Sequence, residues 1–473
     1  MSYKRVEISA EETARQREIS LRIKDIWGEG RKAYVDTYGC QQNEADSEKI
    51  RGMLKEMGCT FTADEFEADI IVINTCAVRE HAEMRIFGNV GALTHTKRRN
   101  PEQIIVMCGC MVQQKTAAER VKRSFRHVDL VFGPQSLWQF PEFLERVIKT
   151  RKRVFITDES DGAVWEGLPV VRSDKVKAWI TIAAGCNNFC SYCIVPYVRG
   201  RERSRRKEEI VAEARALVAE GYRDITLLGQ NVNSYGHDLD EKCDFSDLLR
   251  AVNDIDGDFR IRFMTSHPKD AGEKLFKTMA ECEKAAKHIH LPFQSGSSRI
   301  LKEMNRRYTR EGYLALVEKA REYMPDVVLT SDVIVGFPGE TEEDFEETMT
   351  LVEKVRFDAL FTFIYSPRTG TPAAVMPDPF TREEKQVRFD RLLNLQNTIS
   401  GEKHAKYVGS VQRVLVDGFT GDVRHPLSAR TDGGRLVHLD GDMSLVGRFT
   451  DVEITDSNTW ALFGRETDTA QRR

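Results

Sequence analysis

The chain has 473 residues, a formal net charge of −4 and ten cysteines, and 30% of its residues are charged. This composition is that of an ordinary globular protein, and the nearly balanced charge restricts any nucleic-acid site to a local basic patch. There is no run of about 18 apolar residues and the start of the chain is charged, which predicts a cytoplasmic protein without a membrane span. In a cytosolic protein of this size, so many cysteines favour metal or redox chemistry over a disulfide framework.

The first part of the chain predicts a helical arm (1–30) and then an open α/β sheet domain (31–150). Apolar strands alternate with helix-like segments, which is typical of βαβ units and a parallel sheet. The predicted strands read "AYVDTYGC", "ADIIVINTC", "QIIVMCGC" and "VDLVFGP". Residues 151–172 contain charge, Gly and Pro without a clear period, and we interpret them as a linker.

A second α/β series occupies 173–402 and a third pattern occupies 403–468. Six strand-like segments separated by helical patterns predict a barrel, either partial or closed. These segments read "AWITIAA", "DITLLGQ", "RIRFMTS", "HIHLPFQ", "VVLTSDVIVGF" and "ALFTFIYS". The last part has short strands with Gly/Asp turns, which predicts a small antiparallel β-barrel.

The most informative motif is a C-x3-C-x2-C pattern at the end of the first barrel strand, which we call the loop triplet: Cys186, Cys190 and Cys193. Cysteine thiolates are the standard ligands of iron–sulfur clusters. Three thiolates on a four-iron cube leave one iron open for an outside ligand. The alternatives are three unrelated buried cysteines or a zinc knuckle, although His237 and His267 lie too far along the chain for zinc-finger spacing.

A second set of cysteines, the strand-end triplet, follows three different strands of the first domain: Cys40, Cys76 and Cys110. The carboxyl ends of parallel strands form the ligand-binding crevice of an open α/β sheet. We therefore expect these three thiols to converge at one edge as a second three-cysteine site. The alternative is that they are small apolar residues at the ends of strands.

The loop triplet, with Tyr192 before its last cysteine, resembles the signature of radical S-adenosylmethionine (SAM) enzymes. "TYGCQQNEADSE", "NTCAVRE" and "CGCMVQ" resemble three blocks of the methylthiotransferase family, and Gln42 stands where that family often has Met. The similarity continues through "MTSHPKD", "HLPFQSGSSRILKEMNRRYTRE" and "SDVIVGFPGETEEDFEET", from about residue 32 to 466. It implies a (β/α)6 partial barrel in the centre, and the C-terminal barrel resembles the TRAM domain, an RNA-binding module.

The resemblance also implies the chemistry. The loop triplet holds a [4Fe–4S] cluster that cleaves SAM to a 5′-deoxyadenosyl radical, and the strand-end triplet holds an auxiliary [4Fe–4S] cluster that carries sulfur. Two SAM molecules serve the transfer of a methylthio group to C2 of N6-isopentenyladenosine beside the anticodon of tRNA. The alternatives are the same chemistry on threonylcarbamoyl-adenosine or on a ribosomal protein aspartate, a non-catalytic iron–sulfur RNA-binding protein, and a zinc-stabilised RNA-binding protein.

Polar residues and glycines after the barrel strands are the expected SAM contacts, by comparison with radical SAM enzymes in general. Turn capping and the ordinary frequency of glycine after strands are the alternative explanations. No catalytic residue beyond the cluster ligands is expected. The expected SAM contacts are Gly229, Gln230, Asn231, Gln294, Ser295, Ser331, Asp332 and Gly336.

The basic run "RGRERSRRK" follows the loop triplet directly, at the end of the barrel where active sites lie. We expect it to contact RNA phosphates, although a solvated surface is the alternative. The residues are Arg199, Arg201, Arg203, Arg205, Arg206 and Lys207. The expected partners are a tRNA anticodon stem-loop, an electron donor such as flavodoxin or ferredoxin, and an iron–sulfur or sulfur carrier, with the protein itself a monomer.

Overall fold

The computed structural model of the protein describes residues 6–77, 80–157 and 162–467. Residues 1–5 of the predicted arm, 158–161 of the predicted linker and 468 of the predicted barrel lie outside the described residues. The chain divides into two compact units. The first unit runs to Ser173 and adds Ala183–Asn187 and Cys193–Arg205, and the second comprises Asp174–Ile182, Asn188–Tyr192 and the chain from Arg206 onward.

The first unit is built on a parallel sheet, as predicted. In the described residues its six strands lie in the order β2-β1-β3-β4-β5-β6. They are β1 (Lys32–Thr37), β2 (Thr60–Phe61), β3 (Ile70–Thr75), β4 (Ile104–Gly109), β5 (Leu130–Phe132) and β6 (Val154–Ile156). β3 and β4 are buried along their whole length, as expected for central strands covered on both faces. β6 lies inside the segment that we interpreted as a linker, and it extends the sheet.

Helices cover both faces of this sheet. They are α1 (Ala10–Trp27), α2 (Gln41–Glu56), α3 (Glu80–Ala92), α4 (Thr94–Arg99), α5 (Lys115–Ser124) and α6 (Phe140–Thr150). The strand residues alternate between two apolar clusters. Ile70 and Val72 pack with the cluster that includes α1, α2 and α6, and Ile71 and Ile73 pack with the cluster that includes α3 and α5. Each fully buried side chain of this kind contributes ~1.5–3 kcal/mol to stability.

The segment around the loop triplet alternates between the two units. β7 (Lys177–Thr181) belongs to the second unit. β8 (Ala183–Ala184), α7 (Val195–Arg199) and β9 (Arg203–Ser204) belong to the first, and β8 pairs with β9 in antiparallel register.

The second unit contains the predicted partial barrel. β7 pairs with β10 (Asp224–Leu228) and β10 with β11 (Arg260–Phe263). β12 (His288–His290), β13 (Val328–Val335) and β14 (Ala359–Ile364) form a second parallel group. A single parallel bridge from Ile261 to Ala285 links the groups. The helices are α8 (Lys207–Ala219), α9 (Phe245–Asn253), α10 (Glu273–Glu281), α11 (Ser298–Glu303), α12 (Arg310–Tyr323), α13 (Glu342–Val355) and α14 (Arg382–Ala405).

The end of the second unit is a closed barrel of five strands among the described residues, in the order β15-β16-β17-β19-β18. They are β15 (Val411–Phe419), β16 (Leu427–Thr431), β17 (Leu436–Asp440), β18 (Phe449–Ser457) and β19 (Leu462–Glu466). We predicted an antiparallel barrel, but β17 and β19 pair in parallel. A ring with an odd number of strands cannot alternate direction all the way round, so one neighbouring pair has to be parallel.

The small barrel contacts the amino-terminal ends of the partial-barrel strands. The guanidinium of Arg260, the first residue of β11, donates to the Thr431 carbonyl at 3.1 Å, and Arg262 Nη2 donates to the same carbonyl at 3.0 Å. Lys287, just before β12, donates its backbone N–H to Asp432 Oδ2 at 2.9 Å. The carboxyl ends of the strands, where the predicted SAM contacts lie, are therefore at the opposite end from this contact. No helix of the described residues is long and apolar enough to cross a membrane.

Candidate functional site

The strand-end triplet lies at the carboxyl edge of the first sheet. Cys40 follows β1 and is the residue before α2, Cys76 follows β3, and Cys110 follows β4. Cys76 and Cys110 are buried and Cys40 is exposed. The register of β1, β3 and β4 brings the three strand ends side by side, as the sequence predicted.

The three side chains meet around Asn43. Asn43 Oδ1 lies 3.8 Å from Cys40 Sγ and 4.0 Å from Cys110 Sγ. Cys76 lies against the turn before Cys40, with its Cβ 2.7 Å from the position that a Cβ on Gly39 would take. Gly39 has φ 142°, so this close approach of the two strand ends depends on glycine.

The orientation of Asn43 is determined by the strand ends. Its Nδ2 donates to the carbonyls of Tyr38, at 3.1 Å, and Thr75, at 3.0 Å. An amide nitrogen is a donor only and the amide oxygen an acceptor, so the oxygen has to be the atom that faces the sulfur atoms. Asn74 Nδ2 in turn donates to the Asn43 carbonyl at 2.8 Å, which fixes the first turn of α2 to β3.

A buried arginine contacts the same site. Arg199, the last residue of α7, is 6% exposed, and its Nε donates to Cys110 Sγ at 3.1 Å. Burial raises the pKa of the Cys110 thiol to about 12; Arg199 lowers this pKa, and the neighbouring thiols of Cys76 and Cys40 raise it.

The donor set fits an iron–sulfur cluster. The three thiols lie at one edge of the sheet, and the Arg199 Nε–H donates a hydrogen bond to one of the sulfur atoms. Two of the three cysteines are buried. Among the described residues, no three His, Cys, Asp or Glu side chains lie close enough together to hold a single metal ion. That finding does not bear on a four-iron cube, because its thiolates bind different iron atoms and so lie farther apart.

The loop triplet is positioned by contacts within each unit. In the first unit, the Cys186 N–H donates to the Gly200 carbonyl at 3.2 Å, and Gly185, with φ 80°, allows the chain to turn against the Arg201 carbonyl. In the second unit, Arg306 Nη1 donates to Cys190 Sγ at 3.6 Å. Cys186 and Cys190 are buried and Cys193 is partly exposed.

Arg306 resembles Arg199 in its surroundings. It is 7% exposed, and its other guanidinium atoms donate to the Pro292 carbonyl at 2.6 Å and the Tyr308 hydroxyl at 2.9 Å. A buried arginine therefore donates a hydrogen bond to a cysteine sulfur in each triplet. The sequence contains no local signal for either contact, because Arg199 and Arg306 both stand in ordinary-looking basic runs.

Of the expected SAM contacts, Gly229, Gln230 and Asn231 follow β10, Gln294 and Ser295 follow β12, Ser331 and Asp332 lie within β13, and Gly336 directly follows β13. Asn231 Nδ2 donates to Asp270 Oδ2 at 2.6 Å, and Asp332 Oδ2 lies 3.4 Å from His290 Nε2. Gly336, with φ 70°, donates its N–H to Glu340 Oε2 at 2.7 Å.

Three further expected contacts, Ser331, Ser295 and Gln294, are also held by hydrogen bonds or backbone pairing within the fold. Ser331 is fully buried, and its hydroxyl donates to the Leu291 carbonyl at 2.8 Å while accepting the Phe293 N–H at 2.9 Å. The expectation that Ser331 reaches a ribose is therefore wrong, because its side chain faces the protein interior between two strands. Ser295 is 1% exposed and accepts the Ser297 N–H at 3.2 Å. The backbone of Gln294 bridges to β13, and its φ of 64° is unusual for a residue other than glycine.

Further polar residues lie near Asn231, because the Val232 N–H donates to the Thr265 carbonyl at 3.1 Å and so joins the two loops that contain them. Asn233, Ser266 and His267 each have a buried side-chain polar atom without a hydrogen-bond partner among the described residues. The preceding residue, Thr265, has φ 72°, a strained conformation for a β-branched residue. Burial and the charge of Arg306 lower the pKa of His267 to about 2, so its ring is neutral. Apart from the family resemblance, the segment "MTSHPKD" has no local pattern that indicates a functional site.

The basic run divides into buried and exposed residues. Arg199 and Arg203 are buried, and Arg203 Nη1 donates to the Arg201 carbonyl at 2.7 Å. The expectation that these two contact RNA is wrong, because β9 and α7 turn their side chains into the first unit. Arg205 is partly buried and paired with Glu166, with Nε 2.9 Å from Oε1. Arg201 and Arg206 are exposed and Lys207 is partly exposed.

Comparison with known proteins defines the class. Residues 180–352 match the Radical SAM superfamily, 32–133 match Uncharacterized protein family UPF0004, and 405–466 match the TRAM domain. A radical S-adenosylmethionine methyltransferase, TsrM, from Kitasatospora setae, solved with cobalamin and a [4Fe–4S] cluster bound, has a TM-score of 0.55 at 15% identity and covers 73% of this chain and 77% of that chain. The protein is thus a radical SAM enzyme with a TRAM domain, and this class implies [4Fe–4S] clusters and SAM as cofactors.

Relatives with high identity over nearly the whole chain define the family. The tRNA-2-methylthio-N(6)-dimethylallyladenosine synthase of Acetivibrio thermocellus is 48% identical over 468 residues, covering 98% of each chain. The enzyme of the same name from Alkaliphilus oremlandii is 50% identical over 463 residues, covering 97% of this chain and 98% of that one. The chain belongs to the tRNA-2-methylthio-N(6)-dimethylallyladenosine synthase family.

Proposed function

We propose that the protein transfers a methylthio group to C2 of N6-dimethylallyladenosine, also called N6-isopentenyladenosine, beside the anticodon of tRNA. The observation that carries this proposal is the convergence of the strand-end triplet around Asn43, in a chain that also has the loop triplet of a radical SAM enzyme. The relatives' names support the substrate assignment.

The substrate explains the need for two cysteine sites. The C2–H bond is on an electron-poor sp² carbon with no acidic proton, so positioned acids and bases cannot activate it. When bound, the clusters supply one-electron cleavage of SAM at the loop triplet and transferable sulfur at the strand-end triplet.

The residues of the chain hold and shield these groups. Cys40, Cys76 and Cys110 serve as three ligands for the auxiliary cluster, and Cys186, Cys190 and Cys193 serve as three for the other. Asn43 orients the strand-end triplet, since its amide is held by two carbonyls. Burial of Cys76 and Cys110 limits the access of water to reactive sulfur. We propose Gly229, Gln230, Asn231, Gln294, Ser295, Asp332 and Gly336 as SAM contacts.

RNA binding is assigned to the exposed part of the basic run and to the small barrel. Arg201 and Arg206 suit phosphate contacts, with Arg205 and Lys207 beside them. Phe419 and Trp460 are 59% and 69% exposed, and exposed aromatic rings suit stacking on unpaired bases. We further propose a monomer that acts in the cytoplasm with an electron donor such as flavodoxin or ferredoxin and with an iron–sulfur or sulfur carrier.

The radical step is tested by anaerobic turnover with RNA deuterated at C2 of the target adenine. We expect deuterium in 5′-deoxyadenosine, because the proposed radical removes the hydrogen from that carbon. Unlabelled 5′-deoxyadenosine together with methylthiolated product would show that the hydrogen is lost by another route.

The substrate is tested by nucleoside analysis of tRNA from a deletion strain. We expect loss of the methylthio derivative of isopentenyladenosine and accumulation of isopentenyladenosine itself. Loss of methylthiolated threonylcarbamoyl-adenosine instead would favour the alternative tRNA substrate. A non-catalytic iron–sulfur protein would release no 5′-deoxyadenosine from SAM under dithionite.

A further inference from the structure

Arg199 makes contacts that a residue on an RNA-facing surface would not make. Its Nε donates to Cys110 Sγ at 3.1 Å, and its Nη2 donates to Asn43 Oδ1 at 2.8 Å and Asp46 Oδ2 at 2.9 Å. Both members of the Arg199–Asp46 ion pair are buried. One guanidinium therefore contacts a cysteine of the strand-end triplet, the amide that orients the triplet and a carboxylate.

The position of Arg199 is fixed from several directions. α7 has Pro196 in its first turn and ends at Arg199, and the next residue, Gly200, has φ 76°. Ile194 and Val198 pack against Ala77 and Cys110 in one apolar cluster. The Arg199 carbonyl accepts hydrogen bonds from Arg203 Nη1 at 3.2 Å and Nη2 at 3.1 Å. The side chain is consequently held beside Cys110 by its own helix rather than by the ion pair alone.

The charges around the triplet indicate what this contact does. Hydrogen bonds to cluster sulfur, net charge and burial are the main determinants of a cluster's reduction potential. A cation on a ligand sulfur stabilises the reduced cluster more than the oxidised one, because the reduced cluster is more negative. The buried Asp46 carboxylate, 2.9 Å from the same guanidinium, acts in the opposite direction.

We propose that Arg199 is a positioning residue of the auxiliary-cluster site, which holds the Cys110 ligand and raises the reduction potential of the cluster, and that Asp46 moderates this effect. The proposal rests on the proposed function in one respect, the assignment of an iron–sulfur cluster to the strand-end triplet. It extends that function by giving the first arginine of the basic run a role toward the cluster instead of toward RNA.

A purely structural role predicts a different pattern of results. If the ion pair only connected α7 to α2, Arg199→Gln and Asp46→Asn would break the same link and change the site in the same way. The proposal predicts opposite shifts in potential, because one change removes a positive charge and the other removes a negative charge.

The experiment uses the full-length chain with the loop triplet replaced by alanine, so that only the auxiliary cluster remains. After anaerobic reconstitution, the midpoint potential is measured by a titration monitored by electron paramagnetic resonance, with iron content counted on each sample. The variants are Arg199→Gln, Arg199→Lys and Asp46→Asn. Arg22→Gln is the matched control, because Arg22 pairs with Glu145 on the surface of the same unit at 3.0 Å.

For Arg199→Gln we expect about a tenfold fall in the equilibrium constant for reduction, which is a shift of ~59 mV to lower potential for one electron. Arg199→Lys should give a smaller fall, because it keeps the charge but loses the two-sided hydrogen bonding. Asp46→Asn should shift the potential upward, and Arg22→Gln should leave it unchanged.

Shifts of the same sign in Arg199→Gln and Asp46→Asn, or shifts no larger than the control, would overturn the proposal. If Arg199→Gln fails to retain iron, the test depends on Asp46→Asn alone. A midpoint potential of Asp46→Asn that is equal to or lower than that of the parent chain then contradicts the proposal. If the parent without the loop triplet binds no iron, the proposed function fails together with the inference. Shifts of the wrong sign with about four irons retained count against the inference alone.

Discussion

The two cysteine triplets provide the same number of thiols by different structural routes. The loop triplet lies within eight consecutive residues, Cys186 to Cys193, so the spacing along the chain alone indicates a site. The strand-end triplet spans Cys40 to Cys110, and only the register of β1, β3 and β4 brings its members together. A local sequence motif therefore predicts the loop triplet, whereas the strand-end triplet depends on the packing of a whole sheet.

The two sites share one electrostatic feature despite this difference. Arg199 and Arg306 are both buried, and each donates a hydrogen bond to a cysteine sulfur. The contact is shorter at the strand-end triplet, 3.1 Å against 3.6 Å. Buried charge requires compensation, and a cluster bound by the cysteine thiolates would supply negative charge beside each arginine.

The largest expected difference between the sites is in the products that each one supports. Alanine replacement of the strand-end triplet should abolish methylthiolated RNA while leaving 5′-deoxyadenosine formation within about twofold of wild type, since SAM cleavage belongs to the other site. Alanine replacement of the loop triplet should abolish both products. Anaerobic single-turnover assays with chromatography of both products measure this, and methylthiolated RNA from the first variant would contradict the division of roles.

The dependence of the strand-end triplet on its sheet is tested at Gly109. This residue has φ 96°, and a Cβ on it would meet Asn74 Oδ1 and the Thr75 carbonyl. Gly109→Ala should displace Cys110 at a cost of ~1–3 kcal/mol and reduce bound iron from about eight to about four atoms per chain.

The matched control for this change is Gly167→Ala. Gly167 also has a positive φ, 71°, but a Cβ on it would meet no atom within 4 Å. It should keep its full iron content, and SAM cleavage should survive in both variants. Equal iron loss in the two variants would mean that backbone strain in general, and not the strand-end geometry, controls cluster binding.

The arginine of the loop triplet is expected to have a weaker effect than Arg199. Arg306→Lys, made in the chain whose strand-end triplet is replaced by alanine, should lower the midpoint potential of the remaining cluster. The shift should be smaller than that of Arg199→Lys, the matching change at the strand-end triplet, because the N–H···S distance is longer at the loop triplet, 3.6 Å against 3.1 Å. An equal or larger shift, measured by the same titration, would reverse this ranking.

The smallest expected effect is a pH dependence in the second unit. Burial raises the pKa of Glu340 from its ordinary value of 4.5 to about 7, although the Gly336 N–H and Arg388 lower it. The folded state then binds the proton more tightly than the unfolded state. The corresponding stability is fully present below about pH 4.5 and is lost as pH rises through about 7.

Glu340→Gln should remove this dependence. Between about pH 5 and pH 8, wild type should lose ~1–3 kcal/mol of stability that the variant keeps, as measured by denaturant unfolding of the second unit. Glu318→Gln on the exposed face of α12 is the control and should follow wild type. A parallel pH response in Glu340→Gln and wild type would contradict the raised pKa.

Much of the fold could be predicted because its patterns are strong. The apolar runs before Cys76 and Cys110 are β3 and β4, and their burial on both faces explains why they read as continuous apolar segments. β6 was missed because its three residues are too few for a pattern to emerge from a charged segment. The parallel pair in the small barrel follows from its odd number of strands. The sequence pattern of short strands and turns does not show that number.

The site could be predicted only as far as its cysteines. Arg199 was assigned to RNA because a run of arginines normally lies in solvent, and nothing local shows that α7 turns it toward Cys110. Ser331 looked available because it stands in a strand-end motif, but side-chain alternation along β13 directs it inward. Such side-chain contacts join segments that are far apart in sequence, so they are determined by tertiary packing and not by a local motif.

The most direct test of two separate three-cysteine cluster sites is to count iron and acid-labile sulfide after anaerobic reconstitution. We predict about eight irons and eight sulfides per chain for wild type, and about four of each when either triplet is replaced by alanine. Loss of all iron on replacing one triplet, or zinc without labile sulfide in the wild-type protein, would contradict the account.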